Sequence, residues 1–362
     1  MRVRLTALAA TGVAAVLLTS ACGSEGGGSS PGETSGGSDG PQVGVILPDT
    51  ESSVRWESFD RPLLQQAFDD AGVEVDIQNA QGDASRMQTI ADQMITQGVA
   101  VLAIANLDSA SGAAIQARAD QAGVQTIDYD RLTLGGNAEY YISFDNTRVG
   151  ELQGQGLQQC LGAGPKNIVY LNGSPDDNNA TLFSQGAHSV LDAVSDYTVV
   201  AEQAVPDWDN QQAATIFEQI LTQQGGAVDG VLAANDGLGN AAISILARNG
   251  RAGQVPVTGQ DATTQGLQNI LAGSQCMTVY KPVADEANAL AEVAIALVNG
   301  EEPETTGTVR DDEGGRDVAS ILLEPQAIFR DSVKTVVDDG FVSAADLCTG
   351  EFAAACTELG IS

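Results

Sequence analysis

The amino-acid sequence predicts an α/β fold of two doubly wound parallel-sheet domains joined by a hinge. Two features of the sequence support this class. From residue 42 onward, short apolar runs typical of buried strands alternate with stretches whose apolar residues recur at the period of an α-helix. Such alternation builds a parallel sheet with helices on both faces. It begins again at residues 144–148, so the chain contains two similar halves.

The first half contains five strand-like runs and three helical stretches. The runs are rich in apolar and β-branched residues, as expected of buried strands. In chain order they are "QVGVILP", "VEVDIQNA", "AVLAIAN", "VQTIDYD" and "YYISFDN". The predicted helices between the first four of them cover residues 56–71, 85–97 and 110–122.

The second half repeats this order of elements. Its predicted strands are "NIVYLNG", "YTVVAEQAV", "AVDGVLAAN" and "VPVTGQD", and its predicted helices cover 147–161, 178–194, 210–223 and 237–248. From residue 277 a strand, a long helix and the strand "VASILLEPQAIF" let the chain cross back between the halves. We assign residues 41–146 and about 283–312 to the N-terminal domain, 147–282 and about 313–345 to the C-terminal domain, and 346–362 to a C-terminal tail.

The composition excludes several classes of function. The 362 residues include 16 Lys and Arg against 48 Asp and Glu, and this net charge of -32 repels nucleic acid and anionic lipid surfaces. Because the chain has a single histidine, His188, a Ser/His triad or a histidine-based metal site is excluded. No phosphate-binding glycine loop is present, so we expect no cofactor, no metal and no catalysis.

The first 40 residues read as an export and anchoring segment. Two arginines precede the apolar run at 5–18, which is too short for a membrane span and fits a signal peptide over residues 1–21. Cys22 follows small residues, as at the lipidation site of a bacterial lipoprotein, although Thr19 departs from that pattern. The alternative is ordinary secretion with an incidental cysteine. Residues 22–40 are rich in Gly and Ser and predict a flexible tether.

Export permits disulfides between the four remaining cysteines. Cys348 and Cys356 would close a small loop in the C-terminal tail. Cys160 and Cys276 are far apart in the sequence and are either a second pair or two buried thiols.

Polar side chains follow nearly every predicted strand, where ligands bind in open α/β sheets. The stretch "NGSPDDNNATLF" places four Asp and Asn residues in a row, whereas a helix cap explains only one of them. Hydroxyl groups of a neutral polyol need both acceptors and donors, and these loops supply carboxylates, amides and scarce cations. The only two tryptophans, Trp56 and Trp208, also fall in these loops, where their faces can pack on a sugar ring. The loops therefore predict an interdomain cleft for a sugar.

Several motifs resemble one family in order and spacing: "YDR", "YISFDNTRVGELQ", "GSPDDNNA", "ANDG", "GQDA" and "MTVYKP". They are similar to those of the D-xylose-binding proteins within the ribose/galactose type of periplasmic binding proteins, which serve ABC sugar importers. The resemblance implies the type I periplasmic binding protein fold. It implies that Trp56 and Trp208 sandwich the sugar, although the family carries a second tryptophan near Trp208. The hydrogen-bonding residues it implies are Arg55, Arg131, Asp177, Asn179, Asn235, Asp261 and Lys281, with Asp176 or Asn178 left to cap the helix.

The lipidation-like site at Cys22, the glycine-rich tether and the C-terminal cysteines differ from a soluble periplasmic member of this family. They fit a lipid-anchored protein on the outer face of the cell membrane of a Gram-positive bacterium. We expect the protein to be a monomer. It would close over one monosaccharide, D-xylose first, and deliver it to an ABC permease. Related proteins accept glucose, galactose, arabinose or ribose, and presentation of the bound sugar to a sensor is compatible with the same site. A transcription regulator would need a DNA-binding segment where the signal peptide and tether stand, and no residues favour a glycosidase.

Overall fold

The computed structural model of the protein describes residues 42–362, which lie in one compact unit. The predicted signal peptide, the lipidation site at Cys22 and the tether lie outside the described residues. The strands are β1 Val43–Leu47, β2 Val75–Asn79, β3 Val101–Ile104, β4 Gln125–Tyr129, β5 Tyr140–Phe144, β6 Lys166–Asn172, β7 Tyr197–Ala204, β8 Gly230–Ala233, β9 Thr278–Tyr280, β10 Gly307–Asp311, β11 Arg316–Leu323 and β12 Gln326–Ile328.

The helices follow the strands in the predicted alternation. They are α1 Arg61–Ala71, α2 Ala84–Gln97, α3 Ser109–Ala122, α4 Asn146–Leu161, α5 Asn178–Leu191, α6 Asn210–Gln223, α7 Asp236–Arg248, α8 Thr264–Leu271, α9 Val283–Val298, α10 Val333–Asp338, α11 Ala344–Leu347 and α12 Ala353–Glu358. The predicted helix at 56–71 begins with one π-helical turn, Trp56–Asp60, before α1. Turns of this kind occur frequently at functional sites.

The first half is built on a seven-stranded sheet in the order β10-β11-β5-β4-β3-β1-β2. All neighbouring strands are parallel except β10 and β11, which form an antiparallel pair. One apolar core lies between this sheet and helices α1 and α9, and a second core lies between the sheet and helices α2 and α3. Helices on both faces bury the central strands completely, as a doubly wound sheet requires.

The second half contains the parallel sheet β7-β6-β8 and the antiparallel pair β9 and β12. The predicted strand "VPVTGQD" is reduced to a single bridge between Val231 and Val257. Pro256 has no N–H to donate, which limits the ladder at this edge. Around the bridge, the backbone N–H of Val231 still donates to the oxygen of Pro256 at 2.9 Å, and the N–H of Thr258 donates to the oxygen of Val231 at 3.1 Å.

The predicted domain assignment is wrong for residues 316–323. We placed them in the C-terminal domain, but β11 pairs with β5 in the first sheet, and β10 pairs with β11. The single strand predicted over "VASILLEPQAIF" is two strands, since Glu324 and Pro325 separate β11 from β12. The chain therefore leaves the first sheet after Leu323 and pairs with β9 from Gln326 onward.

The C-terminal segment packs on the second half. Helices α10, α11 and α12 share an apolar core with α8, β9 and β12. A disulfide joins Cys348 to Cys356 within this segment. Cys160, on α4, pairs with Cys276 before β9, so of the two alternatives for these cysteines the structure has the disulfide. Within residues 42–362, no helix is both long and apolar enough to span a membrane.

Candidate functional site

All nine side chains that the sequence analysis selected border one buried cleft between the two halves. The cleft has an empty volume of about 310 Å³, counting its open mouth. Ser52, Ser53, Asp130, Phe183 and Gln260 complete its lining. The nine predicted residues are Arg55, Trp56, Arg131, Asp177, Asn179, Trp208, Asn235, Asp261 and Lys281.

Arg55 is the most tightly held cation of the cleft. Its Nε and Nη2 donate to the two carboxylate oxygens of Asp60 at 2.8 and 2.7 Å, a bidentate geometry that orients the guanidinium. Nη1 donates to Asp130 Oδ2 at 2.8 Å, and Nη2 also lies 2.5 Å from Glu286 Oε2. Asp60 itself lies on the π-helical turn that starts at Trp56, so this turn places the Arg55–Asp60 ion pair beside the cleft.

One buried guanidinium cannot neutralise three buried carboxylates at low cost. Burial opposes the charge of Arg55, but the carboxylates of Asp60, Glu286 and Asp130 outweigh it and raise the pKa of Arg55 further. Burial raises the pKa of Glu286 to about 8, and its Oε1 has no hydrogen-bond partner within residues 42–362. Burial also raises the pKa of Asp60, and in both carboxyl groups the charge of Arg55 opposes this rise.

Arg131 stands at the end of β4 with its guanidinium over the face of Trp56. The Cζ atoms of Arg55 and Arg131 lie 4.6 and 5.3 Å from the centroid of the Trp56 ring. Arg131 Nη1 donates to the backbone oxygen of Asn106 at 3.1 Å, and Nε lies 3.1 Å from Asp177 Oδ2. Arg131 and Asp177 therefore form an ion pair across the cleft.

Asp177 is itself the helix cap, which corrects the prediction that Asp176 or Asn178 has this role. Its Oδ1 accepts from the backbone N–H of Asn179 at 2.9 Å at the start of α5. Its Oδ2 accepts from Trp208 Nε1 at 3.1 Å and faces Arg131. Burial raises the pKa of Asp177, opposed mainly by the charge of Arg131. One carboxylate thus caps the helix with one oxygen and faces the cleft with the other.

Asn179 connects the second half to Asp130 of the first. Its Nδ2 donates to the backbone oxygen and to Oδ1 of Asp130, at 3.0 and 3.1 Å, while its Oδ1 accepts from Asn146 Nδ2 at 2.9 Å. Asp130 has a φ of 61°, in the left-handed region that Asp tolerates better than most residues. Burial alone would raise the pKa of Asp130, but neighbouring cations, Arg55 first, outweigh it and lower this pKa.

The remaining polar wall comes from loops that follow β8 and the Val257 bridge, and from the end of β9. Asn235 caps α7 through Oδ1 and donates from Nδ2 to the backbone oxygen of Ser52 at 3.2 Å. Asp261 Oδ2 accepts from Ser53 Oγ at 2.8 Å, and its Oδ1 lies 3.4 Å from Lys281 Nζ. The contacts with Ser52 and Ser53 join Asn235 and Asp261 of the second half to the loop after β1 of the first.

The ring of Trp208 packs closely against the backbone at Gly173. Trp208 ends a 3-10 turn, Pro206–Trp208, and has a φ of 56°. Its ring lies against Gly173, where an added Cβ would come within 2.0 Å of the indole. Phe183 packs on it edge to face, with 6.4 Å between ring centroids. Only glycine at 173 leaves room for the ring in this position.

Several residues of the lining were not predicted from the sequence. Asp130 stands in the motif "DYDR" directly before Arg131, so its position at a strand end was a usable signal. Gln260 precedes Asp261 in "GQDA"; its Nε2 donates to Asp261 Oδ1 at 2.6 Å, and its Oε1 has no partner in the described part of the chain. Ser52 and Ser53 carried no signal, because serine is common in loops. No group of residues in this part of the chain has the geometry of a metal site.

Two α/β halves facing each other across a buried polar cleft define the type I fold of periplasmic binding proteins. The chain belongs to the periplasmic binding protein family, since the model for the periplasmic binding protein domain matches residues 43–302. The periplasmic binding protein family that the sequence motifs predicted is thereby confirmed.

Several known proteins are similar over most of the chain. The D-xylose-binding periplasmic protein of Escherichia coli (strain K12) is 36% identical over 310 residues, covering 84% of this chain and 92% of that protein. The multiple sugar-binding periplasmic receptor ChvE of Rhizobium radiobacter is 35% identical over 324 residues, covering 84% and 91%. Among solved structures, a carbohydrate transporter solute binding protein from Chloroflexus aurantiacus, in complex with D-glucose, has a TM-score of 0.79 at 29% identity, covering 84% and 98%.

Proposed function

We propose that this protein captures a monosaccharide in the interdomain cleft outside the cytoplasm and delivers it to an ABC transporter permease. The observation that carries the proposal is the composition of the cleft. Arginine, lysine and amide N–H groups can donate to sugar oxygens, and carboxylate and amide oxygens can accept from sugar hydroxyls. Both tryptophans border the same space. A polyol with an apolar ring face matches this combination of groups.

The charge balance of the cleft favours a small neutral ligand. Its empty volume of about 310 Å³ includes open solvent, so this figure is an upper limit on the space for a ligand. The cations of the cleft already face carboxylates, so an added anionic group would meet uncompensated negative charge. We therefore propose a neutral monosaccharide rather than an oligosaccharide or a sugar phosphate.

D-xylose is our first candidate for this sugar. Support comes from the similarity to the D-xylose-binding periplasmic protein of Escherichia coli and from the motifs that predicted it. A second candidate is another aldose, such as glucose, galactose, arabinose or ribose. The multiple sugar-binding receptor of Rhizobium radiobacter has nearly the same identity to this chain, and the solved structure from Chloroflexus aurantiacus holds D-glucose.

The proposed mechanism is closure of the two halves about the hinge. The cleft takes Arg55, Trp56 and Arg131 from one half and the other six predicted residues from the other, so a bound sugar would contact both. A ligand shifts an equilibrium between open and closed forms only by its difference in affinity for them. Loss of contacts on either half should therefore weaken both closure and affinity. The role is transport rather than catalysis, and presentation of the closed form to a sensor is compatible with it.

We also propose export and lipid anchoring through Cys22 to the outer face of the membrane of a Gram-positive bacterium, with the binding unit acting as a monomer. The signal-like segment and the glycine-rich tether support this part of the proposal. Incorporation of radiolabelled palmitate into the full chain, lost in Cys22→Ser, is the test. Secretion of unlabelled protein would contradict it.

Isothermal titration of residues 42–362 with D-xylose, D-glucose, D-galactose, L-arabinose and D-ribose tests the proposed ligand. Because both tryptophans border the cleft, their fluorescence reports binding independently. We expect one-to-one binding of D-xylose and a change in fluorescence. Tight binding of a hexose would overturn the choice of sugar, and no binding of any sugar would overturn the function.

Two variants with matched controls test the cleft itself. Asp261→Asn suits the φ of 94° at this position, and it removes the charge opposite Lys281. We expect about 10- to 150-fold weaker binding, the range for hydrogen bonds to charged groups. The control Asp209→Asn changes a half-buried helix cap that does not border the cleft, and it should leave binding unchanged. Equal effects of the two variants would contradict the site assignment.

A further inference from the structure

Phe59 and Phe341 stack face to face across the boundary between the halves. Their ring centroids lie 4.1 Å apart, and the ring planes are inclined by 20°. Phe341 also packs against Tyr280, with 5.2 Å between centroids and an angle of 56°. Aromatic pairs in offset stacks stabilise an association beyond the area that they bury.

The two rings belong to different halves. Phe59 lies on the π-helical turn Trp56–Asp60, whose Trp56 is part of the core under the first sheet. Phe341 follows α10 in the C-terminal segment, which packs with α8, β9 and β12 of the second half. Contact between Phe59 and Phe341 therefore depends on the relative position of the halves.

The stack lies outside the cleft, but both rings are connected to cleft residues by short segments of chain or by direct contacts. Neither ring borders the cleft itself, and both are half-buried. Phe59 lines a neighbouring cavity that shares Ser52, Ser53, Asn235 and Asp261 with the cleft. Phe59 directly precedes Asp60, which clamps Arg55. On the other side, the Tyr280 hydroxyl donates to Asp339 near Phe341, and Tyr280 directly precedes Lys281. The rings can thus stabilise the arrangement of the cleft residues without contacting a ligand.

We propose that Phe59 and Phe341 are positioning residues that shift the equilibrium between open and closed forms towards the closed form from outside the cleft, both with and without ligand. The effect on ligand binding rests on the proposed sugar-binding function, while the effect on closure does not. An aromatic stack of this kind changes an equilibrium by about two- to tenfold. Because the rings do not contact the sugar, they would strengthen binding of every accepted sugar by the same factor and slow dissociation.

The first test is a double-mutant cycle with Phe59→Ala, Phe341→Ala and the double variant. We expect each single variant to raise the sugar Kd about two- to tenfold, mainly through faster dissociation, with the order of sugar preference unchanged. The double variant should bind about as well as each single one, because the stack acts as a unit. Additive effects of the two changes would overturn the proposal.

The second test measures closure without sugar. Spin labels on Ser85→Cys and Gln211→Cys, two exposed positions at the starts of α2 and α6 in opposite halves, report a distance across the mouth of the cleft. We expect longer distances in Phe59→Ala than in the otherwise unchanged chain. The same distance distribution in both would overturn the proposal, even if no sugar binds and the proposed function fails.

Matched variants separate the stack from general loosening of the C-terminal segment. Phe352 packs in the same apolar cluster as Phe341, and within residues 42–362 it has no aromatic partner in the first half. Phe352→Ala should leave the label distance and the Kd unchanged; an effect equal to that of Phe341→Ala would overturn the proposal. Phe341→Leu keeps most of the apolar volume and replaces the alanine variant in the test if that variant does not fold. Because leucine has no ring to stack on Phe59, it should still lengthen the distance between the spin labels.

Discussion

The side chain of Asn179 meets Asp130 across the cleft, with Nδ2 of Asn179 3.0 Å from the backbone oxygen and 3.1 Å from Oδ1 of Asp130. This contact joins the start of α5 in the second half to the end of β4 in the first. Because both residues are buried, neither the amide nor the carboxylate has water as a substitute partner.

Asn179→Ala should therefore weaken sugar binding. Removing one member of a buried hydrogen-bonded set costs about 1–3 kcal/mol, equivalent to roughly 5- to 150-fold in Kd. Isothermal titration measures this change. The control is Asn178→Ala in the same motif, since Asn178 does not border the cleft. An unchanged Kd in Asn179→Ala would show that this amide has no part in closure or binding.

The two roles of Asp177 can be separated by two substitutions. Asp177→Asn retains a good cap but loses the charge opposite Arg131, whereas Asp177→Ala loses both. We expect both variants to bind sugar more weakly to a similar extent. Urea unfolding should show the alanine variant about 1 kcal/mol less stable than the asparagine variant, the usual contribution of a cap.

Asp83 provides the matched comparison for Asp177. It caps α2 by accepting from the backbone N–H groups of Ser85 and Arg86, and it is exposed. Asp83→Ala should be about 1 kcal/mol less stable than Asp83→Asn, with no change in sugar affinity in either. Equal unfolding free energies of the two Asp177 variants would argue against capping by that residue.

Gly173→Ala should disturb the position of Trp208. The new Cβ would lie within 2.0 Å of the indole ring, so the ring must move and its hydrogen bond to Asp177 must break. We expect an overpacking cost of about 1–3 kcal/mol in unfolding free energy, a shifted tryptophan emission and weaker sugar binding. Gly307→Ala is the control, because no atom lies within 4 Å of its added Cβ. Unaltered emission in Gly173→Ala would contradict the packing described for Trp208.

Asp128 should make the folding stability depend on pH. Burial raises its pKa from an ordinary value of 3.8 to about 7, although Thr133 and Gln116 donate hydrogen bonds to it. Since the folded chain then holds a proton that the unfolded chain releases, this stabilising contribution is fully present below pH 3.8. It is lost as the pH rises towards 7, with a slope of about 1.4 kcal/mol per pH unit in that window.

Asp128→Asn isolates this effect from that of other carboxyl groups. The variant should be less stable than the unchanged protein at acidic pH, because an amide N–H of the new side chain would face the backbone N–H and hydroxyl donors of Thr133. Its unfolding free energy should fall less steeply than that of the unchanged protein between pH 4.5 and pH 7. Urea unfolding across this range measures both slopes. Parallel curves for the two proteins would contradict the raised pKa.

Local patterns in the sequence determined most of the fold, since hydrophobic periodicity identified the strands and helices. The resemblance to a family selected Arg131, Asn235 and Asp261, and the ends of parallel strands predicted that the loops carrying them lie together in space. This succeeds because the carboxyl ends of parallel strands lie at the same edge of a sheet. The family followed from the order and spacing of motifs along one chain.

Other features were decided only by the tertiary structure. The pairing of β11 with β5, the capping role of Asp177 and the contact of Asp130 with Asn179 all join segments that no local pattern connects. The same holds for the stack of Phe59 on Phe341 and for the disulfide between Cys160 and Cys276. Periodicity specifies which face of an element is buried, but contacts between halves depend on how two separately formed cores come together, and that geometry is set by packing across the whole chain.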